Sequence, residues 1–296
     1  IYSEMLNKAA ELYNDTELSG YHIKRYDSTM IHVFGHLLSG MKVGNTSKNK
    51  FQVKLTTEQI DDFQIRINFH QDQAHLSEET ALKEIIFESS SSSKDIVVFD
   101  NGLKSRSVFR ELDESKIQFV TNIGSKPRYE IVAPHNPLDI DNSDLEFLQD
   151  SRVLLYESGQ AKPHKHEFRL IEYKVCKTGK HLFILTNLWD LPASIIALCY
   201  QRRWDIEVLF RFLKQEMNLT HFISNDINAI KAMIYIKLIA AVLILIYKKE
   251  NKIQTYKRAK SQFFNELCAA ITLDLVENPI NREWFIQATR DFIQRE

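Results

Sequence analysis

The stretch Lys94 to Asp100, KDIVVFD, constrains this chain more than any other. Its apolar residues follow one another without a polar interruption, the pattern of a strand covered on both faces, as in a parallel or mixed sheet flanked by helices. An acid closes the run, and Asn101-Gly102 then marks a turn at the strand's C-terminal end. A chain built around such a strand is α/β, and with 296 residues, 44% of them hydrophobic, it has ample material for a core.

Around that strand the pattern alternates between the two periodicities. Residues 1–19 read as a helix ending at Gly20. Residues 21–34, 48–56 and 63–70 read as three strands in meander order, rich in Val, Ile, Phe and Tyr. Residues 78–87 read as a helix capped by Ser77, followed by a serine loop, the buried strand, a helix from about Ser105 to Leu112 and a strand over 117–123. Between 124 and 188 four prolines punctuate short strand-like runs, which points to a β-rich insertion. After Pro192 the chain reads as helical, with helices near 192–217, 227–249, 254–270 and 281–294. The division expected is 1–123 and 189–219 for a core, 124–188 for the insertion and 220–296 for a C-terminal helical region.

Charge excludes little. Lys plus Arg total 38 and Asp plus Glu 39, a net charge of -1, so the whole chain shows no polyanion-binding bias and any basic face must be local. Three cysteines, Cys176, Cys199 and Cys268, are too far apart for a C-x-x-C pair, which fits a reducing intracellular setting. The apolar stretch Ala232 to Tyr247 covers 16 residues and contains Lys237, short of the roughly 20 that span a bilayer, so a buried helix and no membrane association is expected. The chain begins at Ile1 with no room before Asp27 for a DNA-recognition domain, and such a domain is expected upstream of this fragment.

The segment Tyr200 to Lys214, YQRRWDIEVLFRFLK, carries the chemistry. On a continuous helix Tyr200, Arg203, Glu207 and Lys214 fall within about 60° of one another, a polar row about 21 Å long opposite Ile206, Leu209, Phe210 and Leu213. Alone, this is also what a solvated face with an i, i+4 ion pair looks like, worth a few tenths of a kcal/mol. Two further acids raise its meaning. Asp27 lies inside an amphipathic strand and Asp100 ends the most apolar one, and an acid there is costly unless paired or bound to a cation. Singly, each is also compatible with turn chemistry.

Strand Asp, strand-end Asp, helix Glu is an order that resembles an RNase H-like fold. The spacing Tyr200, two residues, Arg203, three residues, Glu207, six residues, Lys214, reinforced by Trp204 and Ile206, resembles the signature helix of bacterial insertion-sequence transposases of the DDE class. The resemblance runs from about Tyr21 to Leu219; Asn101 departs from it, since many members have Arg after the second Asp.

It implies an RNase H-like mixed sheet flanked by helices, interrupted by the insertion. It also implies a cut-and-paste DNA transposase that nicks the element's end, can form and resolve a hairpin there, and joins the 3′ end to target DNA. Asp27, Asp100 and Glu207 would be the catalytic metal ligands for two Mg2+ ions, with Mn2+ able to substitute. Tyr200, Arg203 and Lys214 would contact terminal phosphates of double-stranded DNA.

Two further basic sets could follow a phosphate backbone or be plain surface: Lys42, Lys48, Lys50 and Lys54, and Lys162, Lys165 and Arg169 with His164 and His166. Trp204 is assigned to helix packing, and H-x-H at 164–166 lacks a third ligand nearby for zinc. The family works as a homodimer in a synaptic complex, for which the helices after Leu219 are the candidates, in a bacterial cytoplasm at the nucleoid. Two alternatives remain: a stand-alone RNase H-like nuclease, which would cut but not join strands, and a catalytically silent relic that only binds DNA or a partner chain, against which the intact acid triad argues.

Overall fold

A computed structural model of the chain describes every residue except 10–17, 19, 34–40, 43–50, 90–91, 104, 125–126, 136–143, 158, 160, 164, 220–221, 223, 225 and 294–296. Compact packing divides it into residues 1–238 and 239–296, with the division inside a long helix.

The first unit is organised by one ten-stranded sheet. Its strands are β1 (His22–Val33), β2 (Met41–Lys42), β3 (Phe51–Ile60), β4 (Phe63–His70), β5 (Asp95–Phe99), β6 (Gln118–Asn122), β7 (Tyr129–Pro134), β8 (Leu145–Leu155), β9 (Glu167–Val175) and β10 (His181–Thr186). The order is β2-β3-β1-β5-β6-β10-β9-β8-β7, and β4 also pairs with β3. β1, β3 and β4 form the antiparallel meander, while β5 pairs parallel with both β1 and β6. A meander followed by two parallel strands is the RNase H-like mixed sheet. All five residues of β5 are buried, as its unbroken apolar run requires.

Residues 124–188, expected to form an insertion, hold the strands β7 to β10, which extend the same sheet beyond β6 in antiparallel order rather than forming a sheet of their own. Helices cover both faces of the central strands. α1 (Tyr2–Ala9) lies at the start, and 10–17 of the helix expected over 1–19 lie outside the described residues. On one face, α2 (Glu78–Glu88) and α3 (Arg106–Glu114) bury Leu82, Ile85, Ile86, Val108, Phe109 and Leu112 against Tyr26, Val97 and Phe99. On the other, α4 (Ala193–Gln201) packs Ala193, Ile196, Ala197 and Cys199 on Ile23, Ile96 and Val98.

One helix was expected over 192–217; the structure has two, α4 and α5 (Trp204–Gln215). At the junction the amides of Arg203, Asp205 and Ile206 bond three residues back, to Tyr200, Arg202 and Arg203, so the ladder tightens to 3-10 spacing over Arg202 and Arg203 while both residues keep right-handed helical dihedrals. The buried Arg25 of β1 bonds across to this junction: its Nε donates to the Arg202 carbonyl at 2.7 Å, and its Nη2 lies 3.4 Å from the Asp205 carboxylate.

The division between units falls within α6 (Ile227–Glu250), which matches the helix expected over 227–249 and is the one helix among the described residues long and apolar enough to cross a membrane. In the second unit α7 (Tyr256–Glu277), capped by Thr255, packs against α8 (Pro279–Ile293).

Candidate active site

Period-two alternation sends Arg25 and Asp27 of β1, and Val98 and Asp100 of β5 and its end, to the sheet face that carries α4 and α5. Tyr26 pairs with Phe99 across the two parallel strands, so Asp27 and Asp100 follow side by side at a strand spacing of about 4.8 Å. A tight turn, Gly102 N–H to the Asp100 carbonyl at 2.6 Å, then carries the chain away. It comes so close to α2 that a Cβ on Gly102 would lie 2.6 Å from Leu82 Cδ1.

The polar row of the helical segment faces these acids. Tyr200, on the last turn of α4, donates its hydroxyl to Asp100 Oδ1 at 2.9 Å. Arg203, in the junction, sits between two carboxylates: Nη1 is 2.7 Å from Glu207 Oε1 and Nη2 is 3.7 Å from Asp100 Oδ2. Glu207 lies in the first turn of α5, where a negative charge suits the helix dipole, and Lys214 lies in the last. The four residues therefore converge on the strand acids even though the helix is broken between them. Ile206, Leu209, Phe210 and Leu213 are buried on the other side, together with Phe212. Trp204, assigned to packing, is instead 52% exposed, since at 100° per residue it lies about 200° round the helix from the buried Ile206.

Electrostatics single out Asp27. Burial, the largest cause, raises its carboxyl to about 7; the Ser28 amide, donating at 2.7 Å, and Arg203 pull it down, while Glu78 and Glu207 push it up. Burial lowers the Lys214 ammonium, with Asp27 opposing that shift, which places the lysine within electrostatic reach of the acid. Burial and then the charge of Asp100 push the Tyr200 phenol up to about 12. For Arg203 burial works downward, but Asp100, Tyr200 and Glu207 outweigh it and raise the guanidinium.

A divalent cation fits this donor set. A buried carboxylate that resists ionisation next to two others is a site short of positive charge. Arg203 supplies part of that charge here, bridging Asp100 and Glu207 as a cation would. Glu78, at the first turn of α2, is a fourth carboxylate coupled to Asp27 and escaped the sequence reading, since nothing local distinguishes it from a helix-start acid. Arg25 escaped as well, although a lone Arg in an apolar alternation was the available signal.

The peripheral lysines divide. Lys48 and Lys50 lie outside the described residues, as does His164. Lys165 is exposed just before β9, as is Lys162. Lys54 corrects the expectation that it faces DNA: it is 4% exposed, its ammonium donates to the Leu76 carbonyl at 2.8 Å, and burial lowers its pKa. Arg169 is a second correction. It is fully buried, with Nε and Nη2 on both Asp150 oxygens at 2.9 and 2.7 Å and Nη1 on the carbonyls of Leu188, Trp189 and Leu191. Neither side chain can reach a phosphate without unmaking the sheet. His166 ties β9 to α3 through Asp113 at 2.8 Å.

Known proteins are similar to this chain in sequence. The chain is 29% identical over 156 residues to the transposase-named y4zB protein of Sinorhizobium fredii, covering 53% of this chain and 43% of that one. It is 35% identical over 77 residues to a Geobacillus stearothermophilus protein named for transposition of insertion sequence element IS5377, covering 26% and 20%. It is 27% identical over 99 residues to the transposase of insertion sequence element IS421 of Escherichia coli, covering 33% and 27%. The matches thus span less than half the length of these relatives. A solved piggyBac transposase synaptic complex with hairpin DNA superposes at a TM-score of 0.46 and 14% identity, over 88% of this chain and 56% of that one. Residues 21–243 match the family model of the transposase DDE domain, a span that holds Asp27, Asp100, Glu207 and every group hydrogen-bonded or ion-paired to them, and the chain belongs to that family.

Proposed function

We propose that this chain is the catalytic core of a cut-and-paste transposase that cleaves the ends of its own element and joins them to target DNA. Asp27, Asp100 and Glu207 would hold two Mg2+ ions, replaceable by Mn2+. When bound, such a pair neutralises charge on both the attacking and the leaving oxygen of an in-line phosphoryl displacement. The observation that carries the proposal is the placement of two strand acids side by side beneath a helix carboxylate drawn from more than 100 residues further along.

The chain's own groups prepare this chemistry. Tyr200 holds one oxygen of Asp100, leaving the other toward Arg203. Arg203 restrains Glu207 over the strand ends, and its buried Nε, with no hydrogen-bond partner among the described residues, remains available to an acceptor such as a phosphate oxygen. Lys214 adds a point charge on the Asp27 side. Lys165 is offered as a contact further out on the duplex. Exposed Leu273, Val276 and Trp284 on α7 and α8 support a homodimer through the C-terminal helices, which would let two element ends be held together. The setting proposed is the bacterial cytoplasm, at the nucleoid.

The test uses the full-length protein, labelled ends of the element that encodes it, and Mg2+. Joined product from the wild type, with Asp27→Asn and Glu207→Gln reduced to background while still binding DNA, supports the proposal. Cleavage without joining would instead identify a nuclease, and DNA binding with neither reaction a relic.

A further inference from the structure

We propose that His70, His75 and Glu84 form a second metal site, distinct from the three carboxylates, that takes a Zn2+-class transition-metal ion. His70 is the last residue of β4, His75 lies in a single 3-10 turn over Gln73–Leu76, and Glu84 is in the middle of α2. One donor atom from each lies within 4.8 Å of the others. Four-coordinate zinc with bonds of about 2.0–2.1 Å holds its donors roughly 3.4 Å apart, so rotations moving each tip by about 1 Å close the site.

The donor type argues for the class of ion. Two imidazoles and one carboxylate suit borderline divalent metals, whereas Mg2+ prefers oxygen alone. The two rings are stacked, with centroids 4.2 Å apart and planes 20° from parallel. Two imidazolium ions would repel each other in that arrangement, and burial followed by His75 lowers the pKa of His70, which keeps it in the neutral, ligating form.

The simpler account is a histidine pair satisfied by its neighbours, with His70 Nε2 3.1 Å from Thr56 Oγ1 and His75 Nε2 2.6 Å from Glu84 Oε2. That account leaves His75 Nδ1 buried with no hydrogen-bond partner, although Asp72 Oδ2 stands 4.0 Å away. With Nε2 on the metal, the Nδ1–H would face Asp72, the kind of carboxylate partner that orients a ligating imidazole, and water would complete the coordination. Bound metal would tie the end of the β-meander to α2, whose first turn places Glu78 against Gly102 and within electrostatic reach of Asp27. Its role is structural, stiffening the α2 side of the carboxylate site.

The experiment removes that carboxylate site first, with Asp27→Ala, Asp100→Ala and Glu207→Ala together, so that its outcome does not depend on the proposed activity. Co2+ is titrated into this triple variant and followed by visible d–d absorption, then displaced with Zn2+, and bound metal is quantified after dialysis. One equivalent per chain with tetrahedral or five-coordinate d–d bands is expected. Adding Glu84→Gln, an isosteric change at a partly exposed position, should weaken binding by at least about tenfold without unfolding the chain. Adding His75→Asn should abolish the bands. No stoichiometric Co2+ in the triple variant, or binding unaffected by both substitutions, would overturn the proposal.

Discussion

Burial places the Asp27 carboxyl at about 7 against an ordinary 3.8, a difference worth roughly 4 kcal/mol in favour of the neutral acid. The group is raised in the folded chain, so its contribution is undiminished below about pH 4 and is lost progressively as pH rises through 7. In EDTA, urea denaturation should show wild type losing stability between about pH 4 and pH 7, and Asp27→Asn should be more stable than wild type at pH 8 by roughly 2–4 kcal/mol. Equal or lower stability of the variant at pH 8 would mean the carboxyl is not strained. Arg169 is the contrasting case, since both Asp150 oxygens satisfy it in the interior. Arg169→Met alone should cost about 3–5 kcal/mol by leaving Asp150 charged and unpaired, while Arg169→Met with Asp150→Leu should recover most of that loss. Thermal denaturation of the single and double variants checks this. Local pattern marked Asp27, Asp100 and Glu207 as costly or suggestive, but it could not separate Arg169 or Lys54 from surface cations. Which basic side chain is buried depends on partners 19 to 22 residues away in sequence.

Secondary structure was legible where periodicity is strong, in the buried run of β5 and the apolar stripe of α5. It was not legible at Arg202–Arg203, because the spacing of Tyr200, Arg203 and Glu207 fits one unbroken helix as well as two. Arg25 reaches across from β1 to the Arg202 carbonyl and Asp205, a contact that sequence spacing along the helix does not record. Arg25→Met should therefore destabilise the chain by about 2–4 kcal/mol, with circular dichroism showing retained helix content. A loss below about 0.5 kcal/mol would show that the junction holds without it. The turn after β5 offers a second check on element packing. Gly102→Ala forces Leu82 or the turn to move and should cost about 1–3 kcal/mol in denaturant titrations, and Glu78, beside the same turn, should shift with it.

At the scale of the whole chain, all three carboxylates lie within residues 1–238. A chain ending at Glu250 is expected to bind Mn2+ as the complete chain does, read by water-proton relaxation. It is also expected to elute as a monomer by light scattering where the complete chain elutes as a dimer. Weak Mn2+ binding by the shorter chain would show that the second unit contributes to the site. By itself the sequence already determined an α/β core with its central strand, the meander, the strand-rich character of 124–188 and a polar row on the helical segment 200–214, because these patterns record which side of each element avoids water. Folding alone decided that the insertion's strands extend the core sheet, that Lys54 and Arg169 turn inward, that Arg25 meets the helix junction, and that His70, His75 and Glu84 meet. Each of those outcomes rests on a contact between distant parts of the chain, and a contact of that kind leaves no periodic trace in either partner's own segment.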